Sequence, residues 1–290
     1  MKSLTAGRRI SHNECMRIDA HQHFWEYHPE EYPWITEEVG VLRRSFLPSD
    51  LAPELIKSGL DGSIAVQARQ SLDESRWLLS LAEKNSHILG VVGWVDLCSD
   101  HIDAQLAEFS RHPQFVGVRH VVQDEPDDSF MLRTDFLNGI DRLKNHGLKY
   151  DILIFPQQLE AALKLVAQFP EQAFVIDHIG KPSIKDGSLQ PWKKLMKEFS
   201  EFPNVNCKIS GMITEADWKN WKKEDMKPYL ETVMETFAPS RLMYGSDWPV
   251  CLLAGDYCRV IDLATHYINQ LSTQDQDLVF GGTAAQFYNI

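Results

Sequence analysis

Long apolar runs are missing from this chain of 290 residues: no stretch approaches 18 consecutive apolar residues, so no membrane-spanning helix is expected. Basic charge is scarce as well. Lys and Arg number 29 against 41 Asp and Glu, a net charge of -12. That balance argues against nucleic acid or an anionic membrane surface as the main partner, because each needs a concentrated basic face. Cysteine is sparse and unpaired: Cys15, Cys98, Cys207, Cys251 and Cys258 are scattered with no CxxC spacing. Neither a disulfide framework nor a zinc knuckle is implied, and reduced thiols fit a cytoplasmic protein. The opening MKSLTAGRRISHNEC has basic residues without an apolar run behind them, which speaks against a secretory signal. Residues 1–15 read as a short extension ahead of a single domain over residues 16–290. Glycine-rich phosphate loops are absent too, with neither GxGxxG nor GxxxxGK[ST], and there is no GxSxG nucleophile elbow.

What the chain does have is a regular alternation of short apolar runs with longer stretches of helical spacing, the pattern of βα units. Strands are expected near residues 16–22, 63–68, 88–95, 115–121, 148–154, 173–178, 204–209 and 241–246. Helices should begin near Asp50, Asp73, Ile102, Asp135, Gln157, Leu189, Glu224 and Asp256, several of them opened by a capping residue or a nearby proline. Eight such units form either an open doubly wound sheet or a closed (β/α)8 barrel. The first strand is followed by HFWEYHPEE rather than a glycine-rich turn, which favours the α/β barrel, a single (β/α)8 TIM barrel. The first crossover is the exception in length. Phe24 to Ser49, rich in Trp, Tyr, Pro and Glu, reads as a binding loop over the barrel mouth.

In a barrel, reacting groups stand at the C-terminal ends of the strands. The first strand carries Asp19, His21 and His23 at alternate positions, expected on one face. Alternation along AFVIDHIG puts Phe174, Ile176 and His178 on one face, and RLMYGSDWPV delivers Asp247 at the end of the eighth strand. A single histidine in such a place reads as an ordinary buried imidazole. Two from the first strand and one from the sixth, together with a carboxylate from the eighth, suit one divalent metal such as zinc, with an open position for water.

These residues also carry a resemblance. DAHQHF, VIDHIGKP, CKISG, YGSDWP and FGGTAAQFY, in that order over nearly the whole chain, resemble the amidohydrolase superfamily. The branch is that of sugar-lactone and pyrone-dicarboxylate lactonases, and GVRHVVQDEPDD and LKYDILI are most similar to L-fuconolactonases and related aldonolactonases. The resemblance implies an amidohydrolase-like barrel and a shared site of two strand-one histidines, a strand-six histidine and a strand-eight aspartate: His21, His23, His178 and Asp247. Metal-dependent members add a lysine or glutamate on strand four and a histidine on strand five, where this chain reads VGVRHV and KYDILI. No binuclear site is therefore expected. The branch tolerates an empty metal position, so a cofactor is either not strictly required or is at most one divalent ion, zinc being the natural choice.

Further polar residues fall where a substrate would lie: Gln67, Arg119, His120, Asp151 and Lys208. For Asp151 and Lys208 an internal salt bridge closing the barrel is the standing alternative. Trp25 and Trp248 adjoin the site motifs and are assigned to the C–H faces of a sugar. The expectation is hydrolysis of a sugar lactone to the aldonic acid, a carboxylic ester hydrolysis in carbohydrate metabolism such as L-fucose catabolism. Asp247 serves as general base on water, and His21, His23 and His178 polarise the carbonyl with any metal. Metal-dependent amide hydrolysis, deamination or decarboxylation on the same scaffold, and a barrel that binds a sugar acid without turnover, are the alternatives. The partner is a small molecule, and a homodimer is compatible with the sequence.

Overall fold

In the computed structural model, which describes residues 15–290, eight short runs become parallel strands. They are β1 (Ile18–Gln22), β2 (Gly62–Val66), β3 (Ile88–Gly93), β4 (Phe115–Val121), β5 (Lys149–Leu153), β6 (Phe174–Ile176), β7 (Val205–Ile209) and β8 (Leu242–Tyr244). Each pairs with the next in chain order. The sheet closes on itself through a Gln22–Trp248 bridge, with His23 N donating to Trp248 O at 2.7 Å and Asp247 N to His21 O at 2.8 Å. Residues of the expected site thus form the seam of the (β/α)8 barrel. Of the expected N-terminal extension, only Cys15 lies within the described residues.

The crossovers carry α1 (Pro48–Ser58), α2 (Leu72–Lys84), α3 (Ile102–Phe109), α4 (Thr134–Leu143), α5 (Leu159–Gln168), α6 (Trp192–Glu198), α7 (Lys223–Phe237) and α8 (Tyr257–Ile268). Two short helices, α9 (Thr273–Asp277) and α10 (Thr283–Tyr288), end the chain. Local chemistry sets several starts. Ser71 Oγ accepts from Asp73 N and Glu74 N to open α2, and the Asp256 carboxylate accepts from Arg259 N to open α8. The sixth helix begins after Pro191 rather than at Leu189. No helix among the described residues is long and apolar enough to cross a membrane.

Two apolar clusters result. The larger fills the layer between sheet and helices, and the smaller lies inside the barrel, where Ala20, Ile64, Val66, Val92, Val175 and Met243 meet Ala284, Phe287 and Tyr288 of α10. The first crossover is not a free loop. Trp25 and Phe46 pair as a two-strand bridge, and Phe24, Trp25, Tyr32 and Phe46 all join the larger core. Its inner face is core, which corrects the expectation that the whole segment serves the ligand.

Candidate active site

The pairing register of β1 breaks between Asp19 and Gln22, and the break turns Asp19 away from the residues it was expected to join. Asp19 instead accepts from Ser246 N and from the Tyr257 hydroxyl, both at 2.8 Å, and burial pushes its carboxyl up to about 6. His21 and His23 lie past the break and point into the barrel mouth. The Nδ1 of His23 lies 2.8 Å from Val66 O. A carbonyl only accepts, so Nδ1 carries the hydrogen, and of the two tautomers of an uncharged ring this one has its lone pair at Nε2. That lone pair faces Asp247 Oδ1 at 3.4 Å and His21 Nε2 at 3.2 Å.

His178 reaches the mouth by a different route from the one expected. Strand β6 ends at Ile176, and Phe174 and Ile176 pack outward in the larger core. His178 then sits in the left-handed region with φ 53, its Nδ1 2.9 Å from Ser210 Oγ and its Nε2 3.9 Å from Asp247 Oδ1. Gly211, φ 63, passes so close beneath the ring that a Cβ there would lie 2.5 Å from His178 Nδ1. Asp247 is itself left-handed at φ 57. Burial holds the imidazoles of His21 and His178 well below the ordinary histidine value, so both rings are neutral at pH 7.

Beneath the mouth lies a buried ionic layer. Lys208 Nζ is 2.5 Å from Asp151 Oδ2, 3.0 Å from Asp177 Oδ1 and 3.3 Å from His21 Nδ1. Arg119 Nη1 donates to Asp177 Oδ2 at 3.1 Å, its Nη2 donates to Gln67 O, and the Tyr288 hydroxyl donates to Asp151 at 2.9 Å. Burial opposes ionisation of Asp177, yet the charges of Lys208 and Arg119, with the close contact of His21 Nδ1 at 3.3 Å, hold its carboxyl well below the usual range. Asp177 escaped the sequence reading because alternation was followed to His178, whereas the inward parity of Val175 leads to Asp177. Asp151 and Lys208 belong to this layer, as the internal salt bridge of the alternative reading.

Above the layer opens a cavity of about 770 Å³. Of the residues singled out for the site, His23, His178, Asp247 and Arg119 line it. Gln67, Asp151 and Lys208 are fully buried below. His120 points the other way along β4, stacking on Phe130 at 5.0 Å with its Nε2 2.6 Å from Glu125, and it is Glu125 that meets the cavity. Trp25 and Trp248 pack with Phe46 in the core, at centroid distances of 5.4 and 5.3 Å. The tryptophans on the cavity wall are Trp34 and Trp218, each 38% exposed. Adjacency to a motif misled here, since a neighbour in sequence takes the opposite side of a strand end. Lys181 and Glu215 also line the wall and carried no earlier signal beyond their charge.

His23 Nε2 and Asp247 Oδ1 are both acceptors, and they face each other at a separation close to the roughly 3.3 Å edge between ligands held about 2.0–2.1 Å from zinc. Two acceptors converge in this way on a cation. His21, His23 and Asp247 bring one donor atom each within 4.8 Å of one another, and His178 Nε2 lies 3.9 Å from the same Asp247 Oδ1. The residues fit one divalent ion. His21, Asp177 and His178 form a second group of ligand type, and Lys208 and Arg119, each 3.3 Å from a His21 nitrogen, put positive charge beside it.

The Amidohydrolase family profile matches residues 18–290. An L-fucono-1,5-lactonase of Burkholderia multivorans is 39% identical over 285 residues, covering 94% of this chain and 96% of that protein. A second, from Burkholderia ambifaria, is 37% identical over 278 residues, covering 94% and 96%. The crystal structure of an amidohydrolase from Burkholderia multivorans with bound zinc superposes with a TM-score of 0.91 at 40% identity, covering 95% of this chain and 99% of that one. The strand-end histidines and aspartate, the barrel and a match over nearly the full length agree: the chain belongs to the amidohydrolase family.

Proposed function

We propose that this chain hydrolyses a sugar lactone of the L-fucono-1,5-lactone kind to the open aldonic acid, with water as nucleophile. The observation that carries the reading is the meeting of Asp247 with His21, His23 and His178 on the floor of a roomy cavity that offers no free side-chain nucleophile. Ser71 and Thr214 line the cavity, but Ser71 caps α2 and Thr214 Oγ1 donates to Gly211 O at 2.7 Å. Ser210 contacts His178 from behind, at the nitrogen that faces away from Asp247. Cys207 and Cys251 are buried, which pushes both thiols up and leaves them un-ionised.

Asp247 accepts a proton from water as the water oxygen bonds to the lactone carbonyl carbon. The ring C–O bond then breaks, and Asp247 returns the proton to the departing alkoxide. Arg119, fixed by Asp177 and Gln67 O and lining the cavity beside the histidines, is a cation placed to meet the developing oxyanion. A divalent ion held by His21, His23, His178 and Asp247, zinc for preference, would supply a Lewis acid and a more acidic water. A cyclic ester needs less activation than an amide, and Arg119 offers polarisation of its own. At most one ion per chain is expected, with turnover that largely survives chelation.

The test is acid release, followed with a pH indicator, from L-fucono-, L-galactono-, D-arabinono- and L-rhamnonolactones, alongside elemental analysis and a chelator-treated sample. Turnover of at least one lactone separates this reading from a sugar-acid binding barrel. No release from any of them would remove it. Two tightly held metals per chain, or complete and metal-reversible loss of activity in chelator, would replace the metal-independent mechanism with a metal-hydroxide one.

A further inference from the structure

Four consecutive residues after β6 occupy the left-handed region: His178, Ile179, Gly180 and Lys181, with φ of 53, 50, 68 and 45. They make one closed turn, Lys181 N donating to His178 O at 2.9 Å. Only Gly180 adopts this conformation without a steric penalty, so side chains at the other three positions call for a compensating role. His178 has one in its approach to Asp247, and Ile179 has one as a fully buried core residue. Lys181 is left. Its ammonium stands 5.3 Å from the centroid of the Phe155 ring, and it joins His178 on the cavity wall.

There Lys181 Nζ stands 3.5 Å from Glu215 Oε1, the two side chains 17% and 21% exposed. Glu215 lies on the short turn Ile213–Glu215 that follows β7, near enough to Asp247 for the two negative charges to interact. An ionised carboxylate accepts several hydrogen bonds, and a single cation at this range leaves most of that capacity open. The opposite wall differs: Arg69 Nη1 grips Glu31 Oε2 at 2.7 Å. Trp218 lines the same cavity, its indole held by Nε1 donating to Thr214 O at 2.8 Å. An open acid–base pair and an aromatic ring in one cavity match the two surfaces of a sugar ring, whose hydroxyls point outward and whose C–H bonds point up and down.

We infer that Lys181 and Glu215 form the subsite that reads the ring hydroxyls of the lactone, Glu215 accepting from a neighbouring hydroxyl pair and Lys181 donating to one of their oxygens, with Trp218 against the C–H face. This rests on the lactonase reading and deepens it: the substrate class is a polyhydroxylated lactone, selected against bare ring lactones by the wall opposite the seam loop of Asp247. These two are specificity residues, and the ester itself is handled by the floor.

The experiment compares kcat/KM for L-fucono-1,5-lactone with that for δ-valerolactone, which has the same ring and no hydroxyls, in the parent, K181M and E215Q. The ratio should fall about 10- to 100-fold in each variant, the usual cost of losing a charged hydrogen bond to a substrate hydroxyl. K181R should recover part of it. Calorimetric binding of the ring-opened acids, L-fuconate and 5-hydroxypentanoate, gives the same comparison without turnover. An unchanged ratio in both variants, with folding intact, would overturn the subsite while leaving the lactonase reading standing. An equal loss on both lactones would overturn it too, by moving the pair into the chemistry. A parent inactive on every lactone would remove the lactonase reading and the subsite with it.

Discussion

One part of the barrel interior is apolar, where Ala20, Ile64, Val66, Val92, Val175 and Met243 pack against α10 and are sealed by Phe287. The part toward the mouth holds Arg119, Asp151, Asp177 and Lys208, and above them the imidazoles and Asp247. The lower half needs only apolar burial, which costs no polar desolvation and tolerates volume-conserving exchange. The upper half buries charges that are stable only as a complete set, since removing one partner strands another in a low dielectric. The contrast shows where the molecule accepts cost: a layer of ions, four left-handed non-glycine residues (His178, Ile179, Lys181 and Asp247), and the neutral imidazoles of His21 and His178, all at the end where strands meet the cavity.

Breaking the ionic layer should produce the largest effect. Lys208→Met removes the cation shared by Asp151 and Asp177, and a loss of about 3–5 kcal/mol in denaturant unfolding is expected. A loss below about 1 kcal/mol would mean that Arg119 and Tyr288 alone satisfy both carboxylates. The upper half would then be no more demanding than the lower.

A smaller effect sharpens the contrast through pH. Glu74 of α2 accepts from Ala68 N, Arg69 N and the Tyr32 hydroxyl, so it ties the flap over the mouth to the loop after β2. Burial raises its carboxyl from 4.5 to about 7, against the opposing hydrogen bonds and the Arg69 charge. The folded state then binds the proton more tightly than the unfolded chain. Its contribution is full below pH 4.5 and is lost as pH rises through about 7, at up to about 1.4 kcal/mol per unit. Asp19 and Asp151, both raised to about 6, add slopes of the same sign at lower pH, so Glu74 dominates between about 6 and 7. Glu74→Gln should flatten unfolding free energy against pH in that window. An unaltered slope would assign the dependence to other groups.

The eight strands were legible because each is a short apolar run between helical stretches, and a period of two against one of 3.6 survives without any tertiary information. His21, His23 and Asp247 were legible as polar residues at the ends of such runs. What alternation could not carry was the backbone beyond the last ladder bond. The register break after Asp19 and the left-handed turn at His178 both change which residues face inward, and neither has a signature in the side chains. Asp177 was hidden for that reason. Trp25 and Trp34 differ only in how the flap folds back through the Trp25–Phe46 bridge, a tertiary event that buries one and exposes the other. Asp151 and Lys208 stood evenly between ligand and salt bridge until their 2.5 Å contact and the Tyr288 hydroxyl below them decided it.

The measurement that bears most directly on the account is lactone turnover by Asp247→Asn beside the parent, with thermal unfolding of both. Asp247 lies at the cavity floor with its backbone N–H donated to His21 O, a bond the amide side chain leaves in place. The account predicts that kcat/KM falls about 100-fold or more, the scale of a positioned acid–base group, while the unfolding midpoint stays near that of the parent. Activity within about threefold of the parent would contradict it.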